Sequence, residues 1–267
     1  MKLIISNLSW NSDEDYKVIN IIKKHHIRNI EISANKIFNN NYTLKNIKKN
    51  QHFWQKEKIK FYSMQSILFN TKNAYLFGNK PQQKIFFNEI KKKIYLCKRI
   101  GAKVIVFGSP SNKKIFSEQN LDKLNRIAYN SFKKISIICE KYRICFCIEA
   151  NPKIYNCEYL NYTKDAVRLV KKINSKFFKL NFDLGTVIEN NESFKNIIKD
   201  HIKLIGHVQI SVPYLKDVMP YTKTVMKFIE ELKRNNYQKY ISIERLPVKD
   251  NINNLEKTIK LVKSCLE

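Results

Sequence analysis

The sequence predicts an α/β fold, a (β/α)8 barrel, that occupies residues 1–267 as a single domain. Three observations predict it. Eight short apolar runs alternate with longer helical patterns, no linker or change of composition interrupts them, and one barrel of this type takes about 250 residues. The candidate strands are residues 3–8, 29–33, 60–64, 103–107, 144–148, 179–182, 204–210 and 240–243.

Helical patterns separate these strands. The pattern over residues 82–100 puts Phe86, Ile90 and Ile94 on one stripe, and Gly101 follows at the position where glycine commonly ends a helix. The other helices are predicted over residues 13–26, 120–142, 163–173, 193–201, 222–236 and 254–266. A helix after each strand is the repeat from which a closed parallel barrel is built.

The composition excludes two classes of protein. Hydrophobic residues make up 43% of the chain and aromatic residues 12%, which excludes a disordered protein. No run of about 18 apolar residues predicts a membrane span, and the N-terminus lacks the apolar region of a signal peptide, so we expect a cytoplasmic protein. The six cysteines show no zinc-site spacing and are predicted to be reduced thiols.

The net charge of +27 raises the question of a nucleic-acid partner. The excess is almost entirely Lys, and the lysines are spread along the predicted helices. Proteins that bind phosphates and bases rely more on Arg, whose guanidinium makes paired contacts. A solvated basic surface therefore explains the charge better, and neither a nucleic acid nor a membrane is favoured as a partner.

Successive side chains of a strand point to opposite sides. In each of the last four strands this gives an apolar outer face and an inner face of mixed polarity. Each inner face ends in a polar side chain at the carboxyl end of its strand, where barrels of this kind carry their chemistry. The residues predicted to face the lumen are Cys145, Cys147, Glu149, Lys179, Asn181, Asp183, Ile205, His207, Gln209, Tyr240, Ser242 and Glu244.

The strand-end residues Glu149, Asp183, Gln209 and Glu244 lie 34, 26 and 35 residues apart, close to one strand–helix repeat each. All four are therefore expected to meet at one end of the barrel. Ionised carboxylates in one place need a counter-charge, which a divalent cation supplies. Oxygen ligands favour Mg2+ or Mn2+, with Co2+ or Zn2+ also admitted. Any one of these acidic residues alone is better explained as a cap or an ion-pair partner.

Seven segments resemble, in order, the sugar phosphate isomerase/epimerase group of the xylose isomerase-like TIM barrels, which includes hydroxypyruvate isomerase and the ketose 3-epimerases. The last four are the more specific, and the first three mainly support the fold. The segments are IEISANKIF, FYSMQSILF, VIVFGSPSN, CIEANPKIYNCEYLNYT, FDLG, GHVQISVPYL and ISIERL.

The resemblance implies that Glu149, Asp183, Gln209 and Glu244 bind one divalent metal. The usual strand-seven motif is H-x-H, and His207-Val208-Gln209 with its second-place Gln resembles the hydroxypyruvate isomerases. Glu149 and Glu244 would be the catalytic acid and base that move a proton through an enediolate. The implied activity is isomerisation or epimerisation of a small sugar, sugar phosphate or hydroxy-keto acid, without an organic cofactor.

Substrate contacts are predicted for His207, Gln65, Ser109 and Asn112, although a core role for His207 and turn or cap roles for the others fit the sequence equally well. Many relatives are dimers or tetramers, so a homo-oligomer is one expectation. The partner expected from the resemblance is a small carbohydrate.

Three positions depart from the epimerase pattern: Thr186 replaces a His, Leu215 an Arg and Tyr155 a Glu. These departures leave the substrate open and allow another enolate reaction, such as dehydration. Two alternatives remain. One is a DNA-repair phosphodiesterase of the endonuclease IV type, which needs several strand-end histidines, whereas only His207 is so placed among the five. The other is a barrel that binds a ligand without catalysis.

Overall fold

The computed structural model describes residues 1–116 and 120–267. Eight parallel strands form a closed barrel in chain order, with the eighth strand paired to the first, as predicted. The predicted strand ends are correct to within two residues. The strands are β1 Lys2–Ser6, β2 Asn29–Ser33, β3 Lys60–Gln65, β4 Val104–Phe107, β5 Cys145–Ile148, β6 Phe178–Asp183, β7 Ile205–Ile210 and β8 Tyr240–Ile243.

The helices surround the barrel, and the predicted ends of those expected are correct to within three residues. Side-chain capping sets some of these ends. The helix after β3 begins at Lys80 because Asn79 and Gln82 cap each other's backbone amides, and Gly101 follows it with φ 78°. The α-helices are α1 Asp15–Lys24, α2 Ala34–Ile37, α3 Leu44–Lys56, α4 Lys80–Arg99, α5 Leu121–Tyr142, α6 Thr163–Ile173, α7 Leu184–Glu189, α8 Phe194–His201, α9 Thr222–Arg234 and α10 Asn251–Leu266.

The prediction omitted α3, the helix between β2 and β3. Its sequence LKNIKKNQHFWQK is mostly polar, and only Ile47 and Trp54 are buried. Two buried positions a full two turns apart do not form a detectable apolar stripe. The short helices α2 and α7 were also missed, because each directly follows a strand and has too few residues to show a period.

A β-bulge in β7 makes one predicted orientation wrong. Leu180 pairs with Ile205 but Asn181 pairs with His207, so Gly206 is an extra residue in this strand. Ile205 therefore packs in the outer core rather than in the lumen. Gly206 faces the lumen, where a Cβ atom would lie 2.6 Å from Cys147 Sγ, so only glycine fits.

The core has an outer and an inner layer. The outer layer lies between the barrel and the helices and includes the stacked rings of Phe146 and Phe178, whose centroids are 5.8 Å apart. The inner layer fills the lumen near the start of the strands, where the rings of Tyr62 and Tyr240 lie 3.7 Å apart. Because this end is filled, the lumen can open only at the carboxyl ends of the strands. No helix in the described ranges is both long and apolar enough to cross a lipid bilayer.

Candidate active site

A cavity of about 230 Å³ opens at the carboxyl ends of the strands. It is smaller than the roughly 300–1,000 Å³ typical of pockets for larger ligands, so it suits a small molecule. Strand-end side chains form its base, and the loops after β5 and β7 form much of its rim. The polar lining residues at the base are Gln65, Glu149, Asn151, Asp183, Ser211 and Glu244.

Both carboxylate oxygens of Glu149 accept hydrogen bonds from side-chain amides. Asn151 donates from Nδ2 to Oε1 over 2.7 Å, and Asn181 donates from Nδ2 to Oε2 over 2.8 Å. Burial, followed by the nearby charge of Asp183, raises the pKa of Glu149 to about 8. The two amide donors fix the plane of this carboxylate.

Asp183 begins α7 and is held in the same way. Its Oδ2 accepts from the backbone amide of Thr186 over 2.8 Å, and its Oδ1 accepts from Ser211 Oγ over 2.5 Å. Burial raises the pKa of Asp183 despite these hydrogen bonds. Burial raises the pKa of Glu244 as well, and the charges of Glu31, Asp183 and Glu149 add to this effect. Mutual repulsion therefore acts among acidic groups gathered at one end of the barrel.

Gln209 lies directly beneath the pocket. Its Oε1 accepts from Asn181 Nδ2 over 2.5 Å, and its Nε2 donates to Glu31 Oε1 over 2.9 Å. Glu31 is fully buried in the middle of the lumen, where it also accepts from Ser63, Ser242 and His207. The Glu31 carboxylate can only accept, so the amide oxygen of Gln209 lies on the opposite side, where it accepts from Asn181, which also donates to Glu149.

The residues predicted to contact substrate fall into two pairs. Gln65 and Ser109 line the pocket. His207 and Asn112 do not: His207 is buried below the pocket, with Nε2 2.9 Å from Glu31 Oε2, and Asn112 donates from Nδ2 to the carbonyl of Ala74. Their position away from the pocket surface favours structural roles, which the sequence had left open.

Sequence reasoning missed Lys113, the residue after Asn112. It is fully buried behind the pocket, where Nζ donates to Asn151 Oδ1 over 2.8 Å and to the backbone carbonyl of Glu149 over 3.2 Å. Burial lowers the pKa of Lys113, and the charges of Cys157 and Glu149 oppose that shift. No sequence signal could have found Lys113, because it lies among many lysines in a loop.

The rim of the pocket is aromatic. The rings of Tyr155 and Tyr214 meet edge to face with centroids 5.6 Å apart, and the backbone amide of Tyr214 donates to Tyr155 Oη over 2.9 Å. Tyr214 and Leu215 have φ angles of 61° and 53°, an uncommon conformation for residues with a Cβ. No Lys, Arg or His of the described chain lines this pocket, despite the net charge of +27.

The donor set is of the type that hard divalent cations prefer, three carboxylates and an amide oxygen. Asn181 Oδ1 is also buried and lacks a hydrogen-bond partner within residues 1–116 and 120–267. In the geometry described for those ranges, however, no three His, Cys, Asp or Glu side chains are grouped to hold a metal ion. The chemistry of the residues thus fits a cation, while their side chains in the described ranges are not grouped around one.

Fold and site together define an α/β barrel with an acidic pocket at the position where such barrels carry active sites. The chain belongs to the xylose isomerase-like TIM barrel family, whose family model matches residues 19–265. No curated protein matches it in sequence.

Solved structures with the same fold include three informative proteins. The 3-keto-D-glucoside 4-epimerase from E. coli, in its apo form, has a TM-score of 0.80 and 16% identity over 99% of this chain and 100% of its own. D-psicose 3-epimerase, in the presence of D-fructose, has a TM-score of 0.79 and 14% identity over 100% and 97%. The IolI protein with a zinc atom has a TM-score of 0.71 and 16% identity over 100% and 96%. At these identities the likeness shows the fold alone.

Proposed function

We propose that this protein is a divalent-metal-dependent isomerase or epimerase of a small, uncharged sugar. The observation that carries the proposal is the convergence of Glu149, Asp183 and Glu244 on one small pocket, with Gln209 directly below. The neighbours named as sugar epimerases and as a zinc-bound protein support the substrate class and the metal.

Glu149, Asp183, Gln209 and Glu244 would hold the metal, which when bound would polarise the carbonyl and hydroxyl oxygens of the substrate and favour loss of a proton from carbon. Mg2+ or Mn2+ suits these oxygen donors, and Co2+ or Zn2+ is the alternative. The bound cation would also offset the repulsion that raises the pKa values of Glu149 and Glu244.

The proton transfer is assigned to Glu149 and Glu244. One carboxylate removes the proton from the carbon next to the substrate carbonyl, giving an enediolate, and the other returns a proton to a neighbouring carbon or to the opposite face. The two glutamates have different partners: two amide donors hold Glu149, whereas the amide of Gln65 faces Glu244. The aromatic rim and the closed lumen would limit the entry of water.

The lining of the pocket favours an uncharged substrate over a sugar phosphate or a hydroxy-keto acid. An anionic substrate group needs Lys, Arg or backbone amides to receive it, and the described lining offers carboxylates instead of cations. Leu215 and Tyr155 stand at positions where related epimerases carry Arg and Glu. These residues fit a substrate whose distal end is bound by contact area more than by charge.

The test is incorporation of deuterium from solvent into a panel of ketoses and hydroxy-keto acids with Mn2+ or Mg2+. We expect exchange into at least one neutral ketose, and its loss in Glu149→Gln and Glu244→Gln. Glu192→Gln is the matched control, because this half-buried carboxylate binds Thr163 away from the pocket. No exchange across the panel, or metal-dependent nicking of an abasic DNA duplex, would overturn the proposal.

A further inference from the structure

We propose that Lys113 is a positioning residue that fixes the carboxylate of Glu149 through the side chain of Asn151. The inference rests on the proposed role of Glu149 in the reaction. Lys113 does not line the pocket, so it acts without touching the substrate.

The contacts form a short chain from the ammonium to the carboxylate. Lys113 Nζ donates to Asn151 Oδ1 over 2.8 Å, and Asn151 Nδ2 donates to Glu149 Oε1 over 2.7 Å. A second donation from Lys113 Nζ reaches the backbone carbonyl of Glu149 over 3.2 Å. The ammonium therefore contacts both the backbone of Glu149 and the amide that holds its side chain.

These hydrogen bonds allow only one orientation of the Asn151 amide. An ammonium has only donors, and an ionised carboxylate only acceptors, whereas an amide has one acceptor end and one donor end. The oxygen of Asn151 must face Lys113, and its nitrogen must then face Glu149. Without the ammonium the oxygen of Asn151 loses its charged partner, and the side chain is no longer held where its nitrogen donates to Glu149 Oε1.

Two further features support a positioning role for Lys113. Lys113 is fully buried, and a charged amine leaves water only at a substantial free-energy cost that its partners must offset. Gly108, after β4, also leaves space for the pair: a Cβ atom there would lie 3.0 Å from both Asn151 Nδ2 and Glu149 Oε1. The loop that follows β4 thus supplies both the ammonium and the room for the amide.

The first test needs neither metal nor substrate. A crystal structure of Lys113→Met should show the Asn151 side chain rotated away from Glu149, or the Glu149 carboxylate displaced from it, with the barrel intact. An unchanged hydrogen bond between Asn151 and Glu149 would overturn the proposal. This measurement judges Lys113 even if the wild-type protein exchanges no sugar proton, so its failure is distinct from failure of the proposed function.

The second test uses kinetics and metal binding. Lys113→Met should lower kcat for deuterium exchange and weaken Mn2+ binding by about 10–100-fold each, the usual effect of removing a partner behind a ligand, while KM changes little. Lys93→Met is the control, because Lys93 is also buried but contacts Tyr42 and Asn35. Equal losses in both variants would indicate a general structural effect and contradict the proposal.

Two variants of Asn151 complete the test. If Lys113 acts through Asn151, then adding Lys113→Met to Asn151→Ala should cause no further loss of kcat, and an additive loss would contradict the route. Asn151→Asp keeps a partner for the buried ammonium but removes the donor to Glu149. It decides the matter if Lys113→Met does not fold: a crystal structure with the Glu149 carboxylate displaced, together with a kcat lowered about 10–100-fold, supports the proposal, and an unmoved carboxylate overturns it.

Discussion

Replacing Glu31 by Gln should destabilise the barrel from its centre. The Glu31 carboxylate accepts hydrogen bonds of 2.7–2.9 Å from Ser63, His207, Gln209 and Ser242. The substituted side chain would retain one oxygen but present an NH2 group to donors that previously faced the other oxygen. The perturbation is nearly isosteric, so any loss reports the polar contacts and not a cavity.

The expected decrease in the free energy of unfolding follows from those hydrogen bonds. A hydrogen bond to a charged group contributes about 1.5–3 kcal/mol, and the amide forfeits about two of them, which gives about 3–6 kcal/mol. That is a large part of the roughly 5–15 kcal/mol by which a native protein is stable. The urea midpoint of the variant should therefore be strongly lowered.

Urea unfolding followed by tryptophan fluorescence measures this, because Trp10 and Trp54 are both buried. The control is Glu230→Gln, which removes only an exposed ion pair with Arg234 and should lose far less. A loss below about 1 kcal/mol for Glu31→Gln would refute the reasoning, since it would mean that the contacts barely exceed the cost of burying the charge.

The stability lost in Glu31→Gln should also depend on pH. Burial tends to raise the pKa of Glu31, but the charge of His207 and the hydrogen bonds outweigh it, so the pKa lies below the usual 4.5. A lowered folded-state pKa contributes stability above pH 4.5 that is lost as pH falls through the folded value. The stability difference between wild type and Glu31→Gln should thus be full at neutral pH and shrink in acid. A difference that grows below pH 4.5 would contradict this.

Three further results are expected. Mn2+ affinity measured by calorimetry should rise with pH up to about 8, because Glu149 must lose its proton to bind, and a pH-independent affinity would count against Glu149 as a ligand. Gly206→Ala should lower the free energy of unfolding in urea by about 1–3 kcal/mol, since its Cβ would press on Cys147 and Lys179, and a neutral effect would argue against the bulge. A phosphorylated ketose should show a much lower kcat/KM than its unphosphorylated form, and the reverse order would reject an uncharged substrate.

Much of the candidate site could be predicted because strand geometry is local. The period of two places Glu149, Asp183 and Glu244 on inner faces, and parallel strands bring their carboxyl ends together. The same rule failed at Ile205, because the bulge at Gly206 puts this residue against sulfur atoms of β5, a strand that is not adjacent to β7. It could not show that His207 binds Glu31 beneath the pocket, since that contact joins strands 176 residues apart.

Local patterns in the chain were enough to establish the order of the eight strands and of seven helices, with strand ends correct to within two residues. Both follow from side-chain period and from capping or turn residues, whose effects act over a few positions along the chain. The three-dimensional packing was needed to establish that Glu31 orients Gln209, that Lys113 lies behind Glu149, and that no cation of the described chain lines the pocket. Those facts depend on which side chains meet across the barrel, and such contacts leave no periodic trace in the chain.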